Sequence, residues 1–179
     1  MVKASPSISS NVVFNVLMVD HVTRLHTYLL PGPCEECQDW YVRDKAAGTA
    51  WLDRVNREFP CPCTVAAAKA QSANWKRDLA CYVFGLPLCW KFHPGAEHCR
   101  RSVSTTADGA RQQCCYNWAG ELLRPGHRGA GTPDRSVDDH QRQDVVPFNK
   151  CCRECKAKDK NYCDKYIKEL RSGNADHCA

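Results

Sequence analysis

Fourteen cysteines fall between Cys34 and Cys178 of a 179-residue chain, and two adjacent pairs stand among them, Cys114-Cys115 and Cys151-Cys152. From Cys34 onward roughly one residue in ten is cysteine, a density typical of cross-linked extracellular scaffolds and foreign to cytosolic enzymes, whose thiols are kept reduced. The set comprises Cys34, Cys37, Cys61, Cys63, Cys81, Cys89, Cys99, Cys114, Cys115, Cys151, Cys152, Cys155, Cys163 and Cys178. An even count permits up to seven bridges, but the sequence alone leaves their connectivity open. Geometry adds one restriction. Neighbours on a trans backbone do not readily meet the dihedral demands of a disulfide, so the two members of each doublet are expected to bond different partners. Each doublet then ties two other segments together. A bridge closing a loop of tens of residues stabilises by about 2–4 kcal/mol, so reduction is expected to unfold the domain.

Crosslinks have to supplement burial here. The apolar fraction of 43% includes the fourteen cysteines, and mean hydropathy is −0.54. The length suits one domain with a short appendage. Net charge is a mild +5, from 25 Lys+Arg against 20 Asp+Glu. Its densest basic stretch holds Lys150, Arg153, Lys156, Lys158, Lys160, Lys165, Lys168 and Arg171, interrupted by Glu154, Asp159, Asp164 and Glu169. Two readings compete: a solvated helix face with mixed ion pairs, or a weak polyanion site for glycosaminoglycan or acidic lipid. Nucleic acid is not an expected partner, given the redox argument.

Val12 to Val19 is the one apolar run, far short of the ~20 residues that a membrane helix needs. It is also a poor signal peptide, because Lys3 gives a thin basic region and Asp20-His21 follows where small residues should allow cleavage. No export signal is evident, so the chain reads as a piece of a longer extracellular protein. Residues 1–33 are an N-terminal extension or the end of a preceding domain, with Val22 to Leu30 as its last strand and Pro31-Gly32-Pro33 as linker. The cysteine-rich domain is 34–179.

From Cys37 to Phe59, Trp40, Ala47, Trp51 and Val55 recur at helical spacing, with Asp44 the charged exception on that face and Gly48 a weak point. Pro60 stops this helix. Thr64 is placed to cap a second one before the run Ala66 to Ala70, with Trp75 and Leu79 extending its apolar face. From Cys81 to Pro133 glycine and proline are dense, leaving short strands at Val83-Phe84 and near Cys115-Tyr116. A last helix is expected from about Lys150 to Leu170, ended by Ser172-Gly173-Asn174. The fold class is therefore α+β: a small, disulfide-rich, loop-rich single domain with about three helices and short strands.

Several of these pieces, in this order, resemble the AMOP domain, an extracellular module associated with adhesion and found in a membrane mucin, sushi-domain and isthmin-like proteins. The matching residues are Cys37-x-x-Trp40, Cys61-Pro62-Cys63-Thr64, Cys81 with Cys89, His93-Pro94-Gly95-Ala96-x-His98-Cys99-x-Arg101-Ser102 and Gln112-Gln113-Cys114-Cys115-Tyr116. They continue with Gly129-x-Gly131-Thr132-Pro133-Asp134-Arg135, His140 with Asp144, Pro147-Phe148-x-x-Cys151-Cys152, and Cys163-x-x-Tyr166 before Cys178. Against the family pattern Cys34 and Cys155 are additions, and Arg111 stands where glycine is frequent. Two extra cysteines imply one extra bridge, Cys34 to Cys155, stapling the first helix to the last. The resemblance implies a non-catalytic module for adhesion or protein–protein interaction, secreted or in the ectodomain of a membrane protein. Its partner is an unidentified extracellular protein or matrix component. An isthmin-like secreted ligand is the alternative and a secreted hydrolase a distant third.

Other constellations add little. Cys34-x-x-Cys37 and Cys152-x-x-Cys155 have zinc spacing, yet more than a hundred residues separate them and the remaining cysteines would need their own account. A thioredoxin-like βαβ pattern is missing around them. His93, His98, His127 and His140 lie near Asp134, Asp138, Asp139 and Asp144 in sequence, but none of the hydrolase, phosphate-loop or calcium-loop motifs is present. A triad of Ser102, His98 and Asp144 has no support in spacing. No cofactor, metal or catalytic residue is assigned. His98 and Arg101 are expected to bond loop carbonyls and carboxylates, and Asp134 and Arg135 to brace the glycine-rich turn. Trp40, Trp51, Trp75, Trp90, Trp118, Tyr116 and Tyr166 are expected in the core or against disulfides. Neither an Arg-Gly-Asp tripeptide nor an Asn-x-Ser/Thr sequon occurs.

Overall fold

In the computed structural model, which describes residues 31–83, 86–87, 89–155, 161–173 and 177–178, the stretch expected to form one helix forms two. These are α1, Pro33–Ala46, and α2, Ala50–Glu58. The break is Gly48 at φ 81°, a left-handed conformation that glycine adopts without steric cost and that ends α1. The apolar stripe survives the break, because Trp51, Leu52 and Val55 of α2 are all buried. Helix α3, Val65–Ala70, begins where expected: Thr64 Oγ1 accepts the Ala67 N–H at 3.1 Å. Trp75 and Leu79 do not prolong its apolar face. Trp75 opens strand β1, Trp75–Arg77, and is buried. Leu79 lies in a tight turn and is exposed.

Strand β2, Tyr82–Val83, pairs with β3, Leu86–Pro87, as a two-stranded ribbon; of the strand expected at Val83-Phe84, Phe84 lies outside the described residues. Strand β4, His98–Ser102, is the centre of a three-stranded antiparallel sheet, with β1 on one side and β5, Gln113–Tyr116, on the other. The registers are Trp75↔Ser102, Arg77↔Arg100, Cys99↔Cys115 and His98↔Tyr116.

The helical C-terminal part starts earlier than expected and is interrupted. A continuous run, here α4, spans 141–154 as a wide turn Gln141–Val145, an α-helical turn Val146–Phe148 and a second wide turn Asn149–Glu154. Pro147 lacks the N–H that would continue an i→i−4 ladder, which accounts for widened turns beside it. The next run, α5, covers 161–170 as Asn161–Asp164 and Lys165–Leu170. Residues 156–160 between them lie outside the described residues, as do Val12–Val19, Val22–Leu30 and Asn174.

All fourteen cysteines are bridged: Cys34–Cys155, Cys37–Cys151, Cys61–Cys114, Cys63–Cys178, Cys81–Cys89, Cys99–Cys115 and Cys152–Cys163. Each doublet splits between two partners, and secondary structure supplies the reason. Successive side chains of a strand point to opposite faces, so Cys114 joins a core of Cys61, Ala68, Trp75 and Tyr116, whereas Cys115 joins Cys81, Cys89, Ala96 and Cys99. On α4 the doublet turns around the helix, and Cys151 reaches α1 while Cys152 reaches α5. A third cluster unites Cys37, Cys151, Tyr166 and Ile167, with Trp40 and Phe148 against it. The bridge Cys34–Cys155 staples α1 to the residue following α4. The described residues from Pro33 on form one unit, and among them no helix is long and apolar enough to cross a membrane.

Candidate functional site

The inward side of β4 and the first residue of β5 open onto a cavity of about 320 Å³, closed by α4 and α5. Ten of the motif residues converge on it: Cys81, His93, Arg101, Gln113, Thr132, Asp134, His140, Asp144, Phe148 and Tyr166. Arg101 is the hub on one side. Its Nε donates to Asp78 Oδ2 at 2.9 Å and its NH1 to Asp134 Oδ2. Gln113 Nε2 donates to the same Asp78 oxygen at 2.5 Å, while Gln113 Oε1 accepts from Thr132 N at 3.1 Å. Backbone bonds hold Asp134 in place, since Arg111 N donates to Asp134 O at 3.0 Å and Asp134 N to Arg111 O at 2.8 Å.

A second hub was hidden in the basic stretch. Arg171 is not on a solvated helix face; it is fully buried. Its Nε donates to Asp144 Oδ1 at 2.8 Å, its NH1 to Asp44 Oδ2 at 2.8 Å and its NH2 to Gln143 O at 2.9 Å. The guanidinium carbon lies 4.9 Å from the Trp51 ring centre, 5.3 Å from Trp40 and 5.7 Å from Tyr166. Asp44, the charged residue on the apolar face of α1, is thereby explained: it also accepts from Arg135 NH1 at 3.3 Å. Asp144 completes its shell with Arg135 N at 3.1 Å, and Tyr166 OH donates to the Asp144 carbonyl at 3.0 Å. His140 joins the two hubs, its Nδ1 lying 3.3 Å from both Asp134 Oδ1 and Asp144 Oδ2. A buried pair gains Coulomb energy but loses hydration, so the network secures one arrangement more than it adds net stability.

Among the described residues of the basic stretch, other charges form the mixed pairs expected of a solvated face, while Lys156, Lys158, Asp159 and Lys160 lie outside those residues. Lys150 bonds Glu36 and Glu154, Lys168 bonds Asp164, and Arg153 donates to Asn149. The aromatics divide. Trp51, Trp75, Tyr116 and Tyr166 are buried, and Trp40 stacks at 5.2 Å on Tyr166. Trp90 and Trp118 are exposed, at 63% and 87%, against the expectation of a core role.

Ser102, His98 and Asp144 do not assemble into a triad. Ser102 Oγ donates to Ser104 O at 2.7 Å and accepts Gln112 N at 3.2 Å, while His98 sits at the opposite end of β4, about 13 Å along the strand. His93 is buried and its Nδ1–H donates to Ala130 O at 3.0 Å; burial pushes its pKa down to about 4. Tyr116 OH donates to Pro62 O at 2.9 Å, and burial raises its phenol. Gly95, at φ 91°, packs against His127. The buried Pro133 leads into Asp134.

Metal chemistry fits poorly. The cysteines are all oxidised and offer no thiolates. Ligand atoms of Asp134, His140 and Asp144 lie within 4.8 Å of one another, but both carboxylates already face guanidinium groups, whose charge repels a cation. The zinc-spaced pairs part company, Cys34 going to Cys155 and Cys37 to Cys151. Of the site residues, Arg171 and Asp78 had no sequence signal of their own; Asp44 had one, a carboxylate on an apolar helix face.

The family model of the AMOP domain matches residues 33–141. Human Sushi domain-containing protein 2 is 34% identical over 135 residues, covering 65% of this chain and 16% of that protein. Protein mesh of Bombyx mori is 29% identical over 136 residues, covering 65% of this chain and 8% of that protein. The chain thus corresponds to a small part of each relative's length. No solved structure matches it significantly.

Proposed function

Because this chain belongs to the AMOP domain family, we propose that it is an extracellular, non-catalytic module of a longer membrane or secreted protein, presenting a fixed surface for adhesion or assembly. One observation carries the reading. The polar residues that could do chemistry, Arg101, Asp134, Asp144 and Arg171, are engaged with one another, while Trp90 and Trp118 stand in water. Large exposed aromatics are the residues that anchor protein interfaces. Seven bridges favour an oxidising compartment. The module runs through 34–179, since Cys37–Cys151, Cys34–Cys155 and Cys63–Cys178 tie residues beyond the matched stretch to those within it.

The test is attachment of cells to surfaces coated with the oxidised chain. Attachment should saturate with coating density and vanish after reduction and alkylation. The double substitution Trp90→Ala and Trp118→Ala should weaken it without moving the unfolding midpoint. Equal attachment to the reduced chain, or none to either form, would contradict the proposal.

A further inference from the structure

The face of the sheet that packs against α3 carries a cluster of basic side chains at its edge. Strand alternation places His98 and Arg100 on the same side of β4, and the register sets Arg77 directly opposite Arg100. Like charges directly opposite across two strands are destabilising. Lys69, in the last turn of α3, closes the group. Together with Val65 and Cys99 these four basic residues line a concavity of about 250 Å³ that has no carboxylate among its lining residues. The positive field is felt within it: after burial, Lys69, Arg77 and Arg100 all hold the His98 pKa down, opposed by Glu97. Arg100 NH1 donates to Trp75 O at 3.3 Å, which fixes its position on the wall.

A second feature borders the same wall. Val65 N donates to Gly120 O at 2.8 Å, so the turn that carries the exposed Trp118 is fastened to the rim at Val65. Cations in a hollow with an aromatic beside it match a chain of sugar rings bearing sulfate groups: the cations take the sulfates, and an aromatic face takes the apolar face of a ring. A flat bilayer surface follows protruding lysines better than cations set in a concavity.

We infer that the cleft between α3, β1 and β4, lined by Lys69, Arg77, His98 and Arg100, binds a sulfated polysaccharide of the extracellular matrix. This goes beyond the adhesive role proposed above and stands separately from it, since polysaccharide binding can fail while cell attachment survives. The test uses the full oxidised chain on immobilised heparin at about 0.15 M salt. Binding should fall steeply as salt rises, because ion pairing releases counterions. The double substitution Lys69→Gln and Arg77→Gln, both at exposed positions, should weaken binding at least tenfold, and Trp118→Ala should weaken it further. Lys165→Gln with Lys168→Gln, on α5, should leave it unchanged. Fully desulfated heparin should not bind. Wild-type affinity in the Lys69/Arg77 variant, absence of binding to heparin, equal binding to desulfated heparin, or tighter binding to vesicles of anionic phospholipid would each overturn the inference.

Discussion

Arg171 shows how much one side chain can decide. A guanidinium with no solvent exposure is held by Asp44 from α1, Asp144 from α4 and three aromatic rings. Removing it leaves two carboxylates facing each other across a dry site. Arg171→Met should therefore cost about 3–5 kcal/mol in chemical denaturation of the oxidised chain, whereas the exposed Lys168→Met should stay within about 0.5 kcal/mol. A cost below about 1 kcal/mol for Arg171→Met would contradict the buried pairing. His93 makes a separate prediction in pH. Its unfolded imidazole gains a proton near the ordinary value of 6.5 and its folded one at about 4, so between those values the unfolded state holds more protons. Its contribution is complete above about pH 6.5 and declines as pH falls toward 4, by up to about 3 kcal/mol. His93→Asn should flatten stability over that window, and an unchanged slope would refute the assignment. Neither role follows from sequence. Arg171 lies among lysines that do face water, and only the fold of α5 against Trp40 and Trp51 distinguishes it.

At the scale of elements, the doublets work because strand and helix point neighbouring side chains in different directions. Cys37–Cys151 already joins α1 to α4, so Cys34–Cys155 closes an effective loop of only roughly ten residues, not the full stretch of chain between its ends. Replacing both Cys34 and Cys155 by serine should therefore cost about 2.5 kcal/mol, about half the figure of about 5 kcal/mol for an isolated loop of that span. Denaturation midpoints of the double variant decide between the two values. Gly131 marks a close approach, since a Cβ there would lie 2.0 Å from the Gln113 carbonyl oxygen. Gly131→Ala should push the turn away from β5 and cost more than about 3 kcal/mol, while at the open position Gly32 alanine should be near neutral. Local signals did identify α3 through its Thr64 cap and β5 through its cysteines. They missed β1 and β4, because Trp75 and His98 lie in short strands whose alternation is obscured by charged residues on both sides. Helical spacing ran through Gly48, a weak point by residue type that the positive φ turns into a break.

For the described residues from Pro33 on, His140 links a carboxylate of one guanidinium hub, Asp134, to a carboxylate of the other, Asp144, and all seven disulfides lie within the same unit. The cysteine count made an oxidised α+β scaffold legible, and the motif order made its family legible. The convergence of ten motif residues on one cavity was not, because they come from several segments spread along the chain from Cys81 to Tyr166. Crosslinking and ion pairing together leave this unit few ways to rearrange, in keeping with the fixed surface proposed above. Peptide mapping of the unreduced chain, made in a secretory host, tests this account most directly. It predicts no free thiol and Cys114 joined to Cys61, Cys115 to Cys99, Cys151 to Cys37 and Cys152 to Cys163. Free thiols at these positions, or either doublet joined to other partners, would contradict it.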